Sequence, residues 1–281
     1  MKKEYDAMLQ WMTDSRCNLR CEYCSTNPSL KENPKLYDID ISALISTLNK
    51  TKKIFRINFA GDGEPFLIQN IINIFIALTE KHYISFNTNL TSNKIKEFSE
   101  KIYPDKVISI VASLHIKELE RLDLMDVYIS NFLLLKEKGF KIRASVVAYP
   151  GLIDEADEYK KFFIEKGIKL RFDPFIGNFK GREYPAGYNE EELNMFGMNR
   201  SSMKRYYNKL KLCNAGYNFA VVESNGDVKI CMQVHESLGN IYKEIKFKDN
   251  MIRCPNDFCV CPLNEYDWPL FEKAIREKVM K

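Results

Sequence analysis

Short apolar, β-rich runs alternate with longer helical patterns along the first 175 residues, and this alternation limits the fold more than any other feature. The runs Met8–Thr13, Ile54–Ala60, Tyr83–Thr88, Val107–Ser113, Lys141–Ala148 and Ile168–Asp173 predict six strands. Helical spacing covers 38–50, 67–81, 93–102, 117–138 and 153–166. Gly139 and Gly167 follow two of these helices, where a chain leaving a helix needs a left-handed residue. The βαβα order predicts an α/β fold, a parallel sheet with helical crossovers. Six units are too few for a closed eight-fold barrel and point to a partial (βα)6 TIM-like one.

Strands buried on both faces are apolar throughout, but here only one phase is apolar. Ile168, Leu170 and Phe172 oppose Lys169, Arg171 and Asp173, and Ile142, Ala144 and Val146 oppose Arg143 and Ser145. Ile84 and Phe86 oppose Ser85, Asn87 and Asn89, and Ile108, Ile110 and Ala112 oppose Ser109 and Ser113. The apolar phase is expected under the helices, and the polar phase inside a hydrated lumen.

Past residue 174 the pattern changes. Asp173–Tyr188 reads as a long Gly-, Pro- and aromatic-rich loop, 200–211 as a helix, and 220–230 as a hairpin turning at Asn225-Gly226. The tail from Asn264 reads as helix. A barrel over 1–185, a linker and helix over 186–212 and an appended domain over 213–281 are expected. The formal net charge of +4, spread along the chain, gives no reason to expect nucleic acid. No apolar run approaches the ~18 residues of a membrane span, and the start Met1-Lys2-Lys3-Glu4 lacks a signal-peptide core. A cytoplasmic protein is expected.

A reducing compartment disfavours disulfides, so the eight cysteines need another account. They fall in two groups: Cys17, Cys21 and Cys24, then Cys213, Cys231, Cys254, Cys259 and Cys261, with none between. Clustered cysteines in such a chain indicate metal or redox chemistry. Three thiolates spaced along one loop can wrap one iron–sulfur cluster and leave one iron open; a zinc knuckle is the alternative.

Cys17-Asn18-Leu19-Arg20-Cys21-Glu22-Tyr23-Cys24 resembles the signature of the radical S-adenosylmethionine (radical SAM) superfamily, Cys-x-x-x-Cys-x-aromatic-Cys, with Tyr23 in the aromatic place. The resemblance spans residues 8–175 and implies a [4Fe–4S] cluster whose open iron chelates SAM. Gly61-Asp62-Gly63-Glu64-Pro65, after the second strand, looks like the family's Gly-Gly-Glu-Pro motif, with Asp62 inserted or substituted. Asn87-Thr88-Asn89 is similar to its Thr-Asn-Gly, with Leu90 where the glycine would be. Ser113 ends the fourth strand, where the family places a SAM-contacting polar residue.

Cys213, Gly226 and Cys231, with the hairpin between them and Leu238-Gly239-Asn240-Ile241 beyond, resemble the SPASM/twitch extension of the same superfamily. Five cysteines fit the shorter, twitch form. Cys213 and Cys231 plus two of Cys254, Cys259 and Cys261 would hold an auxiliary [4Fe–4S] cluster, with a zinc site as the rival.

In size and layout the chain resembles the twitch-bearing aminocyclitol dehydrogenase of the butirosin pathway. That implies dehydrogenation or epimerisation of a sugar, aminocyclitol or polyol, fed by a flavodoxin- or ferredoxin-type reductant. Arg143, Tyr149, Arg171 and Asp173 are candidate substrate contacts, with barrel ion pairing as their alternative. His115 is a candidate general base; His82 and His235 have no distinguishing context. The other enzyme readings are a maturase that crosslinks, oxidises or epimerises a ribosomal peptide, against which the 16 residues before Cys17 count, and sulfur insertion. The non-enzyme readings are an iron–sulfur electron carrier and a zinc-stabilised scaffold.

Overall fold

The computed structural model describes residues 4–12, 14, 16–24, 37–200, 211–257 and 268–279. Its centre is one ten-stranded sheet. Strands β1 (Ala7–Trp11), β2 (Phe55–Phe59), β3 (Tyr83–Thr88), β4 (Val107–Ser113), β5 (Ile142–Ala148) and β6 (Leu170–Pro174) pair in parallel and in sequence order. Between them run helices α1 (Ile41–Lys50), α2 (Ile71–Thr79), α3 (Lys94–Lys101), α4 (Ile116–Arg121), α5 (Met125–Glu137) and α6 (Ala156–Glu165). This is the predicted α/β partial barrel.

The apolar phase packs under the helices as expected, whereas the opposite phase is buried rather than open to water at Gln10, Arg56, Asn58 and Ser85. Leu9, Trp11, Ile57, Phe59, Ile84 and Phe86 join the main core with the helices. Five phenylalanines interlock there: Phe59, Phe66, Phe75, Phe86 and Phe98, with Phe75 stacked on Phe86 at 5.4 Å. The opposite phase carries a buried polar ladder across four strands. Asn58 donates to Gln10 (2.6 Å), Ser85 donates to Asn58 (2.6 Å), and Arg56 donates to Ser85 (3.0 Å) and Ser109 (3.4 Å). Buried polar groups are tolerated here because they satisfy one another.

Beyond the barrel the sheet continues. Strand β10 (Phe219–Val222) adds to β1 in parallel, and β11 (Asp227–Lys229), β12 (Ser237–Asn240) and β13 (Glu244–Ile245) follow as an antiparallel meander. The β10–β11 hairpin turns at Asn225-Gly226 as predicted; Gly226 has φ +87° and leaves no room for a Cβ beside the Tyr242 ring. Met8, Ala215, Phe219, Val221 and Leu270 form a second small core, which brings helix α8 (Trp268–Val279) onto the sheet.

Several local expectations are corrected. The helix predicted over 117–138 is broken between α4 and α5, where Asp123 adopts φ +53°. The segment 173–188 is not all loop: β7 (Gly177–Phe179) and β8 (Arg182–Tyr184) form a hairpin. Helix α7 (Glu190–Phe196) is not predicted from the sequence, although Asn189 and Glu192 form a capping box. Leu238-Gly239-Asn240 lies on strand β12. Strand β9 (Leu212–Cys213) pairs with β14 (Ile252–Arg253). Thr13 and most of the helix predicted over 200–211 lie outside the described residues. Among the described residues, no helix is long and apolar enough to cross a membrane.

His82, buried at the start of β3, gives a pH-dependence to the fold. Its Nδ1 accepts from Phe55 N (3.2 Å), and its Nε2 has no partner among the described residues. Burial, then Lys81 and Lys106, lower its pKa to about 4. The unfolded chain binds a proton between the ordinary value of 6.5 and that lowered one, and the folded chain does not. The stabilisation is therefore present above pH ~6.5 and lost as pH falls toward 4. Wild type should lose about 1–2 kcal/mol more than His82→Gln on going from pH 7 to pH 5, read from urea midpoints. Equal losses would remove His82 as the cause.

Candidate active site

The loop leaving β1 carries the first cysteine group. Asp14 braces its start by a two-pronged pair with Arg16 (2.8 and 2.5 Å). Leu19 is fully buried and anchors the loop in the main core, while Cys17, Cys21 and Cys24 stay half-buried around it.

Three side chains of neighbouring segments hold the loop between its cysteines. The backbone N–H of Arg20 donates to Glu118 of α4 (2.7 Å), which Arg121 fixes with two bonds of 2.9 Å. The phenol of Tyr149, past β5, donates to Glu22 (2.7 Å). Tyr23 meets His115 Nδ1 at 3.0 Å and packs on Tyr149 at 5.1 Å between ring centres. Burial, then the Cys21 and Cys24 charges, push the Tyr23 pKa up, so its phenol stays protonated. His115 and Tyr149 are thus tied to the cysteine loop.

The strand-end motifs close around the same space. Gly61 (φ +138°) and Gly63 (φ +78°) turn the chain after β2, and a Cβ on Gly63 would overlap the carbonyl oxygens of Asp14 and Arg16. Glu64 then binds the loop through its N–H to Arg16 O (2.6 Å). Its carboxylate, fully buried, accepts from Phe66 N (3.1 Å), Thr88 Oγ1 (2.8 Å) and Asn89 N (2.7 Å). Burial pushes its pKa up to about 7, against the pull of these donors. Asn89 donates to Asn18 in the cysteine loop (2.9 Å). Leu90 keeps the left-handed backbone of the absent glycine (φ +56°), a strain of order 1 kcal/mol held by full burial and by Asn131 donating to its carbonyl (2.7 Å).

These elements enclose a cavity of about 260 Å³. Cys17, Cys21, Tyr23 and Cys24 line it, and so do Gly61, Gly63 and Glu64. Asn87, Thr88, Asn89, Ser113, His115 and Val147 complete it. Asp62 and Pro65, from the same motif, do not line it. The Oδ1 of Asn87 is buried with no hydrogen-bond partner among the described residues. Val147 does not stand out in the sequence; its place on the inward phase of β5 is the one available signal.

Arg143, Arg171 and Asp173 do not line this cavity; they lie on β5 and β6, and of these two strands only Val147 lines it. Asp173 receives Arg143 (3.2 Å) and Ser145 Oγ (2.5 Å) on Oδ2, and Arg171 Nε approaches Oδ1 at 3.0 Å. The ion pairing that the sequence offers as the alternative is present.

In the second group, Cys213 lies on β9 opposite Ile252, and Cys254 N bonds Lys211 O (2.9 Å) just beyond that pair. Cys213 and Cys231 both pack on the second core. Cys259 and Cys261 lie outside the described residues. Among the described residues, no three His, Cys, Asp or Glu side chains converge as ligands of a single ion do.

No protein-family model matches the chain. Over 203 residues it is 23% identical to the GTP 3′,8-cyclase of Staphylococcus carnosus (strain TM300), covering 66% of this chain and 59% of that protein. The chain therefore spans under two thirds of that relative's length. Among solved structures, anSMEcpe with bound AdoMet superposes with a TM-score of 0.60 at 19% identity, covering 85% of this chain and 78% of the other. SuiB of Streptococcus suis bound to precursor peptide SuiA superposes with a TM-score of 0.55 at 18% identity, covering 95% and 66%. At these identities the likeness establishes the fold.

Proposed function

We propose that this chain, whose fold is that of the radical SAM enzymes, is itself a radical SAM enzyme that dehydrogenates or epimerises a small polar substrate such as a sugar, aminocyclitol or polyol. The observation that carries this reading is the cavity itself: three thiols line one space with the motif ends of β2, β3 and β4, and no fourth does so among the described residues. That donor set fits a four-iron cluster with one iron free of protein ligands. Bound there and reduced, such a cluster would supply the electron that cleaves SAM to methionine and a 5′-deoxyadenosyl radical.

The chain's own residues do the rest. Glu118, Tyr149 and His115 hold the cysteine loop, and Glu64 ties β2, β3 and that loop together. The unpartnered Oδ1 of Asn87 is an acceptor for an amino or hydroxyl group of the cosubstrate, and Ser113 is a second polar contact. The polar lumen would receive the substrate's hydroxyls and limit water near the radical. Four of Cys213, Cys231, Cys254, Cys259 and Cys261 would hold an auxiliary cluster that accepts an electron from the substrate. A flavodoxin- or ferredoxin-type protein of a reducing cytoplasm would supply the first electron.

A second reading, maturation of a ribosomal peptide, draws support from the peptide-bound structures that share the fold. Both readings require SAM cleavage, which an electron carrier or a zinc scaffold lacks.

Arg143→Ala separates the substrate wall from the cysteine cavity. Product formation should fall at least about 100-fold while 5′-deoxyadenosine still forms without coupling to product. Loss of SAM binding in this variant would move Arg143 to the cosubstrate.

A further inference from the structure

Arg143 and Arg171 share a single carboxylate. Arg143 is hydrogen-bonded to Asp173 Oδ2, whereas Arg171 approaches Oδ1 at 3.0 Å without the alignment of a hydrogen bond. Each guanidinium has five N–H donors. Among the described residues, Arg143 commits one of them to an aligned bond and Arg171 none. Two cations against one anion leave a net charge of +1, on side chains that are 31% and 50% exposed.

Strand register relates this charge to the cysteine cavity. Ser113 pairs with Ser145 and Ser145 with Arg171, while Val147 pairs with Asp173. Ser113 and Val147 line the cavity. Arg143, Ser145 and Val147 share the inward phase of β5. The excess charge therefore sits on the inward rows of β5 and β6 that lead to the cavity, although neither arginine lines it.

We propose that Arg143 and Arg171, held by Asp173, form an anion subsite that takes a phosphate or carboxylate group of the substrate. The inference rests on the radical SAM reading of the cavity and narrows its substrate to anionic polar molecules. Guanidinium forks match the planar edge of a carboxylate or two phosphate oxygens. Asp173 sets their spacing, and its own charge moderates the site.

The test is calorimetric titration of the whole reconstituted chain, without oxygen and at low ionic strength, with inorganic phosphate, acetate and SAM in turn. Phosphate or acetate should bind wild type, and the tighter of the two identifies the group. Arg171→Gln and Arg143→Gln should each weaken that anion about tenfold, and Asp173→Asn should tighten it. SAM affinity should stay unchanged. Arg171 is half exposed, so Arg171→Gln reports on the site without a folding defect. Anion affinity unaltered in Arg171→Gln, or anion affinity lowered by Asp173→Asn, overturns the proposal. A parallel loss of SAM affinity also overturns it, since the anion would then be the carboxylate of SAM. Formation of 5′-deoxyadenosine by wild type is read separately, so failure of the subsite and failure of the radical SAM reading are distinguishable.

Discussion

Alanine in place of Cys17, Cys21 or Cys24 is expected to abolish 5′-deoxyadenosine formation. Each thiol lines the same cavity, and among the described residues no fourth cysteine lines it to replace the one removed. Losing one ligand of three leaves the cluster with two protein bonds, and every later step depends on the cluster. Chromatography of anaerobic reactions checks this; 5′-deoxyadenosine retained in any single variant would contradict the assignment. The triple variant adds a second reading. If it keeps about four iron and four sulfide, the C-terminal cysteines hold their own cluster. If it holds zinc instead, the C-terminal module is structural and a redox-neutral epimerisation becomes the working reaction.

Gly63→Ala is expected to lower SAM cleavage by about 100-fold or more, although Gly63 has no functional group. Its φ is +78°, which costs a residue with a Cβ about 1 kcal/mol. The larger effect is steric. The added methyl would overlap the carbonyl oxygens of Asp14 and Arg16, backbone atoms that cannot rotate away. Relief requires the loop to shift, and that loop carries Cys17 while its Arg16 carbonyl receives Glu64 N. Gly139→Ala is the control: φ is +85° there, with no atom within 4 Å of an added Cβ. Gly139→Ala should lose about 1 kcal/mol of stability and keep its activity. Iron content and 5′-deoxyadenosine yield, measured on both variants, separate strain from displacement. Equal activities would show that the cysteine loop tolerates movement at Gly63.

The barrel strands are legible in the sequence because alternation is local. Ile84 and Phe86 against Ser85 and Asn87 announce the two faces of β3 without knowledge of its neighbours, and Tyr83–Thr88 is recovered to the residue. The site motifs are legible for the same reason, since each follows a strand and strand ends meet at one rim. What the sequence hides depends on contacts far apart along the chain. Nothing in the apolar spacing of 117–138 marks the break at Asp123. The hairpin of β7 and β8 is hidden by its glycines and aromatic residues, which read as loop. The pairing of β10 with β1 joins segments about 210 residues apart and makes the C-terminal meander part of the barrel sheet. Tyr149, expected among the substrate contacts, is hydrogen-bonded to Glu22, 127 residues away. The sequence offers no sign of that bond.

The cavity lined by Cys17, Cys21 and Cys24 is proposed to support radical cleavage of SAM. The most direct measurement is the yield of 5′-deoxyadenosine and methionine from SAM by the anaerobically reconstituted chain under a low-potential reductant. Equal amounts of both products, absent without reductant, are the predicted result. A chain that carries about four or more iron atoms, is reduced and binds SAM, yet leaves SAM intact, would show that this cavity is not a radical SAM site.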